Sequence, residues 1–339
     1  MKRASLLGLL LFPLISFSQL NPEAILESVK HDAGVIFDAF LEPGTKSMMQ
    51  ASHGGWYRSA KSLEPFAFDV GLVGTAGFAP GEEQSFRISS LDFENTVTGV
   101  PDVNPTVLGD GPKSTITVTN DQLRVSYDFE MINGLKKDLP FGATPAAVLQ
   151  VAMGLPLQSE VILRLTPKTT VREISAGSFG FGLKSELSPY FNLKEDSPLT
   201  ISLFANYSRS KFTYDFEEKS PFEGENQNIE SISNGYSVQG LFSLDYEKFS
   251  VYGAAGYIGS SSTVEVLGTY RYSFELGGFG NISVPFEDLV SLEYNPSSLR
   301  ATLGGAFHIK DFHLFADVSV QRFSTLSAGV VYTFSANQE

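Results

Sequence analysis

Four histidines, His31, His53, His308 and His313, are the side chains of this 339-residue sequence best suited to move protons or hold a metal. No H-E-x-x-H pair occurs among them. The chain also has no cysteine, so a zinc centre would need carboxylates gathered by the fold. That absence further excludes disulfides, thiolate chemistry, iron–sulfur clusters and a lipid-modified cysteine anchor. Ser52 beside His53, or Asp317 with His313, offers fragments of a hydrolytic group, but no G-x-S-x-G elbow exposes a serine. The glycine-rich stretches GTAGFAPG and LGGFGN lack the G-x-x-x-x-G-K-[ST] order of a phosphate loop. The expectation is a protein that is not an enzyme and that carries no cofactor and no metal.

The most unusual local composition is His53-Gly54-Gly55-Trp56-Tyr57, which holds the sole tryptophan and follows Met48 and Met49 closely. Aromatic rings and methionines beside paired glycines suit a pocket for a small apolar ligand, because glycine admits close approach and methionine adapts its shape. The same residues suit a lock that holds this segment inside a larger structure. Both readings stay open at this stage.

The elements that would position these residues begin with MKRASLLGLLLFPLISFSQL. Lys2 and Arg3 precede an apolar run, and Ser16 and Ser18 occupy the small-residue positions of a cleavage site. Residues 1–18 read as a secretory signal peptide. The formal net charge is −14, more negative once Lys2 and Arg3 are removed, which disfavours nucleic acid as a partner. In residues 21–44, Ile25, Val29, Ile36, Phe37 and Phe40 recur at roughly helical spacing. Asn21 can cap this run, Pro22 suits its first turn, and Pro43-Gly44 stops it.

From Pro65 onward the period becomes two. FAFDVGLVGTAGFA, GSFGFGLKSEL, LTISLFANYS, GYSVQGLFSLDY, SLRATLGGAFHI, FHLFADVSVQ and FSTLSAGVVYTF each set apolar against polar or small residues. These runs are about nine to fourteen residues long, which exceeds soluble strands and fits tilted strands crossing a bilayer. Tyr207, Tyr246, Tyr257, Tyr332 and Phe334 lie near segment ends, where rings sit at a lipid–water boundary. Closure into a barrel satisfies every strand edge in hydrocarbon. The fold expected is all-β: a closed antiparallel transmembrane β-barrel of about 14 strands with an N-terminal helical plug segment.

The corresponding division is a signal peptide at 1–18, a plug at 19–64, a barrel at 65–334 and a short tail at 335–339. Residues 216–234 and 284–298 read as long external loops. Glu247-Lys248, Lys310-Asp311 and Gln321-Arg322 read as periplasmic turns. Asp69, Arg164, Glu186, Arg300 and Asp317 fall on the polar face of their strands and form a candidate lumen network.

EPGTKSMMQASHGGWYRSAKS, LQVAMGLPLQSEVILRLTPK and the terminal strands resemble an uncharacterised family of outer-membrane β-barrels of Bacteroidetes-type bacteria. More distantly the architecture is similar to the fatty-acid and aromatic-hydrocarbon channels, in which an N-terminal segment plugs a fourteen-stranded barrel. The resemblance implies a bacterial outer-membrane monomer in contact with lipid, inserted by barrel-assembly machinery, with residues 19–64 as plug. It implies passive uptake of a small hydrophobic solute bound between this segment and the barrel wall, while Met48, Met49, His53, Trp56 and Tyr57 are pocket candidates from their composition alone. Two alternatives stand beside it: a structural or adhesive barrel with a permanently filled lumen, and an exported soluble β-rich binding protein.

Overall fold

The computed structural model describes residues 22–120, 125–171, 174–191, 197–216, 224–276 and 280–335. The stretch expected as a signal peptide, 1–18, and most of the expected tail lie outside these residues. Among these residues one α-helix, α1 (Pro22–Ala51), precedes seventeen strands. These are β1 (Phe68–Gly77), β2 (Ser85–Arg87), β3 (Thr96–Val100), β4 (Val103–Pro105), β5 (Thr115–Asn120), β6 (Val125–Glu130), β7 (Thr144–Leu155), β8 (Ser159–Val171) and β9 (Ile174–Glu186). The rest are β10 (Leu199–Asp215), β11 (Gly224–Asp245), β12 (Phe249–Leu276), β13 (Gly280–Glu287), β14 (Val290–Tyr294), β15 (Ser297–Ile309), β16 (Phe312–Val320) and β17 (Thr325–Phe334).

Ten strands form the ring, in the order β11-β10-β9-β8-β7-β1-β17-β16-β15-β12, and antiparallel pairing of β11 with β12 closes it. Phe68 opposite Phe334 sets the register where the first and last strands meet. The expectation of about fourteen strands is therefore corrected to ten, with β13 outside the ring and β14 continuing the line of β15 beside β12. Strand length explains the miscount. β11 runs 22 residues and β12 runs 28, so each is long enough to read as two spans. The excursion between β1 and β7 adds none to the ring: its strands form one two-stranded and one three-stranded sheet of their own.

Alternation in the ring is inside-out relative to a soluble protein. Leu72, Leu163, Phe181, Leu203, Phe242, Leu303, Val318 and Val330 are exposed on the outer face. Asp69, Arg164, Lys184, Gln239, Arg300 and Asp317 are buried inside. Rings gather at two levels of the outer face. At the short-turn end Phe68 stacks on Phe334, and Tyr332, Phe312, Tyr246 and Phe249 lie nearby in pairs. A second level holds Tyr236 with Tyr257 and Phe181 with Tyr207. The nine residues from Phe249 to Tyr257 advance about 26 Å along the strand, which at a tilt of about 40° is about 20 Å across the bilayer, close to the thickness of its apolar band. No helix among the described residues is long and apolar enough to cross a membrane.

Above the second level β10, β11 and β12 continue outward and join the small sheets and α1 in a head with its own core. Ile36, Phe37, Phe40 and Met49 of α1 pack there with Ile88, Ile116, Val118, Ile229, Val264, Val266 and Tyr294. The stretches expected as external loops, 216–234 and 284–298, lie at this end, and their described parts are largely strand. Turns alternate between ends in an antiparallel ring, so Glu247-Lys248 and Lys310-Asp311 share one end. Gln321-Arg322 lies at the other, where Gln321 bonds the Gln50 carbonyl and Arg322 bonds Glu83.

The helix also departs from expectation, running through Pro43 to Ala51. Proline removes one helical donor and pushes its ring against the preceding turn. The head grips the helix at this point, the Val107 N–H donating to the Phe40 carbonyl at 3.0 Å, next to the Ala39 carbonyl whose helical donor Pro43 removes. Asp32 secures the other end of the helix. It is 1% exposed and accepts hydrogen bonds from the Glu94 and Asn95 backbone and from the Asn95 amide.

Candidate functional site

Residues 52–64 leave α1 at the head, descend through the ring and deliver the chain to β1 at the short-turn end. Gly54 and Gly55 make the entry. A Cβ on Gly54 would lie 2.5 Å from Ser327 Oγ, and Gly55 has φ of +66° with Val73 2.5 Å from its missing Cβ. Only residues without side chains fit that approach to the wall.

Trp56 is 1% exposed and fills the centre of the lumen. Its indole N–H donates to the Ser52 carbonyl at 3.1 Å, and the Arg164 guanidinium carbon sits 4.0 Å from its ring centroid. Gly180 and Gly182 on β9 leave the wall space that its six-membered ring occupies. Tyr57 donates to Gln239 Oε1 at 2.9 Å and meets Phe204 and Tyr252 edge-on. These rings pack with Val73, Ala152, Ile162, Leu241 and Phe315 as one core. The lumen is thus filled with side chains at this level.

His53 sits above this core, its Nε2 3.1 Å from Ser260 Oγ. Burial, reinforced by the positive charges of Arg300 and Arg164, pushes its pKa down to about 3, so the ring is neutral at neutral pH. Met49 belongs to the head core, and Met48 is half-buried, so neither joins Trp56 and Tyr57 in one pocket.

The five polar residues singled out in the strands all point inward, yet they serve separate contacts. Asp69 pairs with Arg58 at 2.8 Å and accepts from Thr333. Arg164 donates to Gln150 and to the Gly54 carbonyl. Glu186 accepts from the Ser62 N–H, Asp317 accepts from Tyr252, and Arg300 binds Thr302, Ser319 and Gln321.

Glu160 and Arg58, which sequence reasoning passed over, matter as much. Glu160 pairs with Lys184 at 3.0 Å with both side chains buried, and it also accepts from the Leu63 N–H. Lys184 donates further to the Ser59 and Lys61 carbonyls. The signal was available, since Glu160 lies in phase with Arg164 on the same strand. Arg58 carried no such signal, because its segment has no period.

The hydrolytic fragments expected from sequence do not assemble. Ser52 donates to the Met49 carbonyl, and Asp317 bonds Tyr252. Among the described residues no three His, Asp or Glu side chains converge as a metal site. Among the described residues, cavities open at both ends of the ring. One, of about 410 Å³, lies on the head side between Arg209, Glu230, Glu265 and Glu293. The other, of about 370 Å³, lies at the short-turn end between Arg58, Lys61, Ser250, His308 and His313.

The chain belongs to a family of unknown function (DUF6588), which it matches over residues 1–334. No curated protein matches it. Among solved structures it is similar to the attachment invasion locus protein Ail of Yersinia pestis, with 10% identity, 80% of this chain and 100% of that chain covered, and a TM-score of 0.29. It is similar to the outer membrane protease OmpT of Escherichia coli, with 13% identity, 81% and 100% covered, and a TM-score of 0.29. It is also similar to a FadL homologue of Pseudomonas aeruginosa, with 10% identity, 82% and 96% covered, and a TM-score of 0.23. Likeness at these scores carries no argument about activity, and none of it supports a Bacteroidetes-type source.

Proposed function

We propose that this DUF6588 protein is a bacterial outer-membrane barrel sealed by its own N-terminal segment, which holds a folded head at the outer surface. The barrel is a platform and its lumen is a permanent core. The observation that carries the reading is the seating of residues 52–64. Trp56 and Tyr57 are enclosed, and wall side chains from β8, β9, β10 and β11 bind the plug backbone or side chains at Gly54, Tyr57, Ser59, Ala60, Lys61, Ser62 and Leu63. Each such bond contributes about 0.5–1.5 kcal/mol, and more where a charge takes part, so together they oppose displacement of the plug. The outer face supplies the complementary half of the argument, since a continuous apolar surface between two aromatic levels is stable against lipid and costly against water. With the short turns facing the periplasm, the head stands outside the cell.

Uptake of a small apolar solute remains the competing outcome of one experiment. Ser59 Oγ lies 3.1 Å from Ser243 Oγ on β11. Cysteines at both positions approach the geometry of a disulfide, and the natural chain offers no competing thiol. The platform reading expects liposomes carrying the Ser59→Cys/Ser243→Cys protein to stay closed to ions and apolar dyes, oxidised or reduced. Dye entry that stops on oxidation and returns on reduction would establish a moving plug and overturn the sealed platform.

A further inference from the structure

At the short-turn end, one line of polar side chains crosses five elements. Ser250 Oγ on β12 lies 2.8 Å from His308 Nε2 on β15. His308 Nδ1 lies 2.7 Å from His313 Nδ1 on β16, and the two rings are set at 73°. His313 Nε2 lies 2.8 Å from Thr333 Oγ1 on β17, and Thr333 donates to Asp69 Oδ1 on β1 at 2.5 Å.

A neutral imidazole carries one donor and one acceptor, and an ionised carboxylate accepts only. Starting from the Asp69 carboxylate, these rules fix every proton. Thr333 gives its hydroxyl hydrogen to Asp69 and accepts from His313 Nε2–H. His313 Nδ1 is then bare and accepts from His308 Nδ1–H. His308 Nε2 is left bare, facing the Ser250 hydroxyl. The chain of bonds thus holds His308 in the tautomer of a general base directed at one serine.

Ser250 and His308 both border the cavity of about 370 Å³ at this end. Arg58 borders it too, and its Nε–H has no acceptor among the described residues. Asp69 and Thr333 hold the Arg58 guanidinium in place, so the wall of this cavity carries a fixed positive charge that favours a developing oxyanion.

We propose that Ser250 and His308 form a nucleophile and general base for acyl transfer from a small polar ester that enters this cavity, with His313, Thr333 and Asp69 as positioning residues. Ser250 Oγ bonds to the acyl carbon, and the ester C–O bond breaks. The serine proton passes to His308 Nε2 and then to the departing oxygen, which leaves as the alcohol. A water, deprotonated by His308, attacks the acyl-serine. The acid departs and the serine regains its proton, so no oxidant, metal or cofactor is consumed. The activity rests on a seated plug, because Arg58, Ser59, Lys61, Ser62 and Leu63 line this cavity.

The test uses the full mature protein folded in detergent micelles. A fluorophosphonate probe should lose fluoride and give one adduct per chain, mapped by peptide mass spectrometry to Ser250. Turnover of 4-nitrophenyl acetate should fall at least tenfold in Ser250→Ala. In His313→Gln, kcat should fall with KM little changed, and the pH–rate profile should move, which a purely structural loss would not produce. Absence of an adduct on Ser250 in wild-type protein whose gel mobility shows a folded barrel overturns the proposal. So does ester turnover that survives unchanged in Ser250→Ala.

Discussion

Lys184 offers the sharpest quantitative test of how the plug is held. Its three ammonium hydrogens go to Glu160 at 3.0 Å and to the Lys61 and Ser59 carbonyls at 2.8 and 3.3 Å, with the side chain 3% exposed. Lys184→Met keeps much of the stem but leaves a buried carboxylate and two buried carbonyls short of a donor. Removing one partner of a buried ion pair costs about 3–5 kcal/mol. That corresponds to between about a hundredfold and a few thousandfold more released plug.

The only tryptophan, Trp56, lies in the plug itself, so urea titration in micelles followed by indole fluorescence reads the seat directly. Wild-type emission should be blue-shifted and shielded from acrylamide, and the Lys184→Met midpoint should fall steeply. Adding Glu160→Gln removes the stranded charge and should recover part of the loss. The exposed pair Lys113–Glu130 in the head is the control, where Lys113→Met should cost no more than about 1 kcal/mol. A Lys184→Met midpoint equal to wild type, or a double variant no better than the single, would refute the claim that this buried pair secures the plug.

Two further outcomes follow from the same seat. Gly54→Ala places a methyl 2.5 Å from Ser327 Oγ and 2.6 Å from Thr75 Cγ2, so plug stability should fall by about 1–3 kcal/mol, measured by the same titration. His53 has a seated pKa of about 3 against an ordinary 6.5, so below 6.5 the released plug binds a proton that the seated plug does not. Seating should therefore weaken as pH falls through 6.5, by about 2 kcal/mol at pH 5, and His53→Gln should flatten that slope.

Which parts of this molecule were legible in the sequence depends on whether a period carried them. The outward and inward faces of the ring were readable because parity alone separates Leu163 from Arg164 and Leu303 from Arg300. Strand number was not, since the continuous pattern from Phe249 to Leu276 contains no break where the wall ends and the head begins. The plug was recognisable as an odd composition around Trp56, but its contacts were invisible: Tyr57 meets Gln239 and Thr302 from strands 182 and 245 residues away. Pro43 read as a stop because the contacts that carry the helix past it, such as the Val107 N–H on the Phe40 carbonyl, come from a distant segment. The Ser250–His308–His313 line escaped for the same reason. His308 and His313 face each other across a visible turn, but Ser250 reaches them only through the register that pairs it with Ala306.

The plug and the closure of the ring are mechanically one event. Residues 52–64 have the folded head at one end and β1 at the other, so a finished ring cannot be threaded by them once the head has formed. The segment has to lie between the strands as β1 and β17 come together. Arg58 marks the coupling, because it bonds Asp69 on β1 at 2.8 Å and Thr333 on β17 at 3.3 Å, one partner on each side of the seam. Phe68 stacked on Phe334 at 4.6 Å closes the same seam from the lipid side. The aromatic strand β17 therefore completes the wall against a plug already in position, and weakening the plug should lower the yield of closed barrel before it opens any path through it.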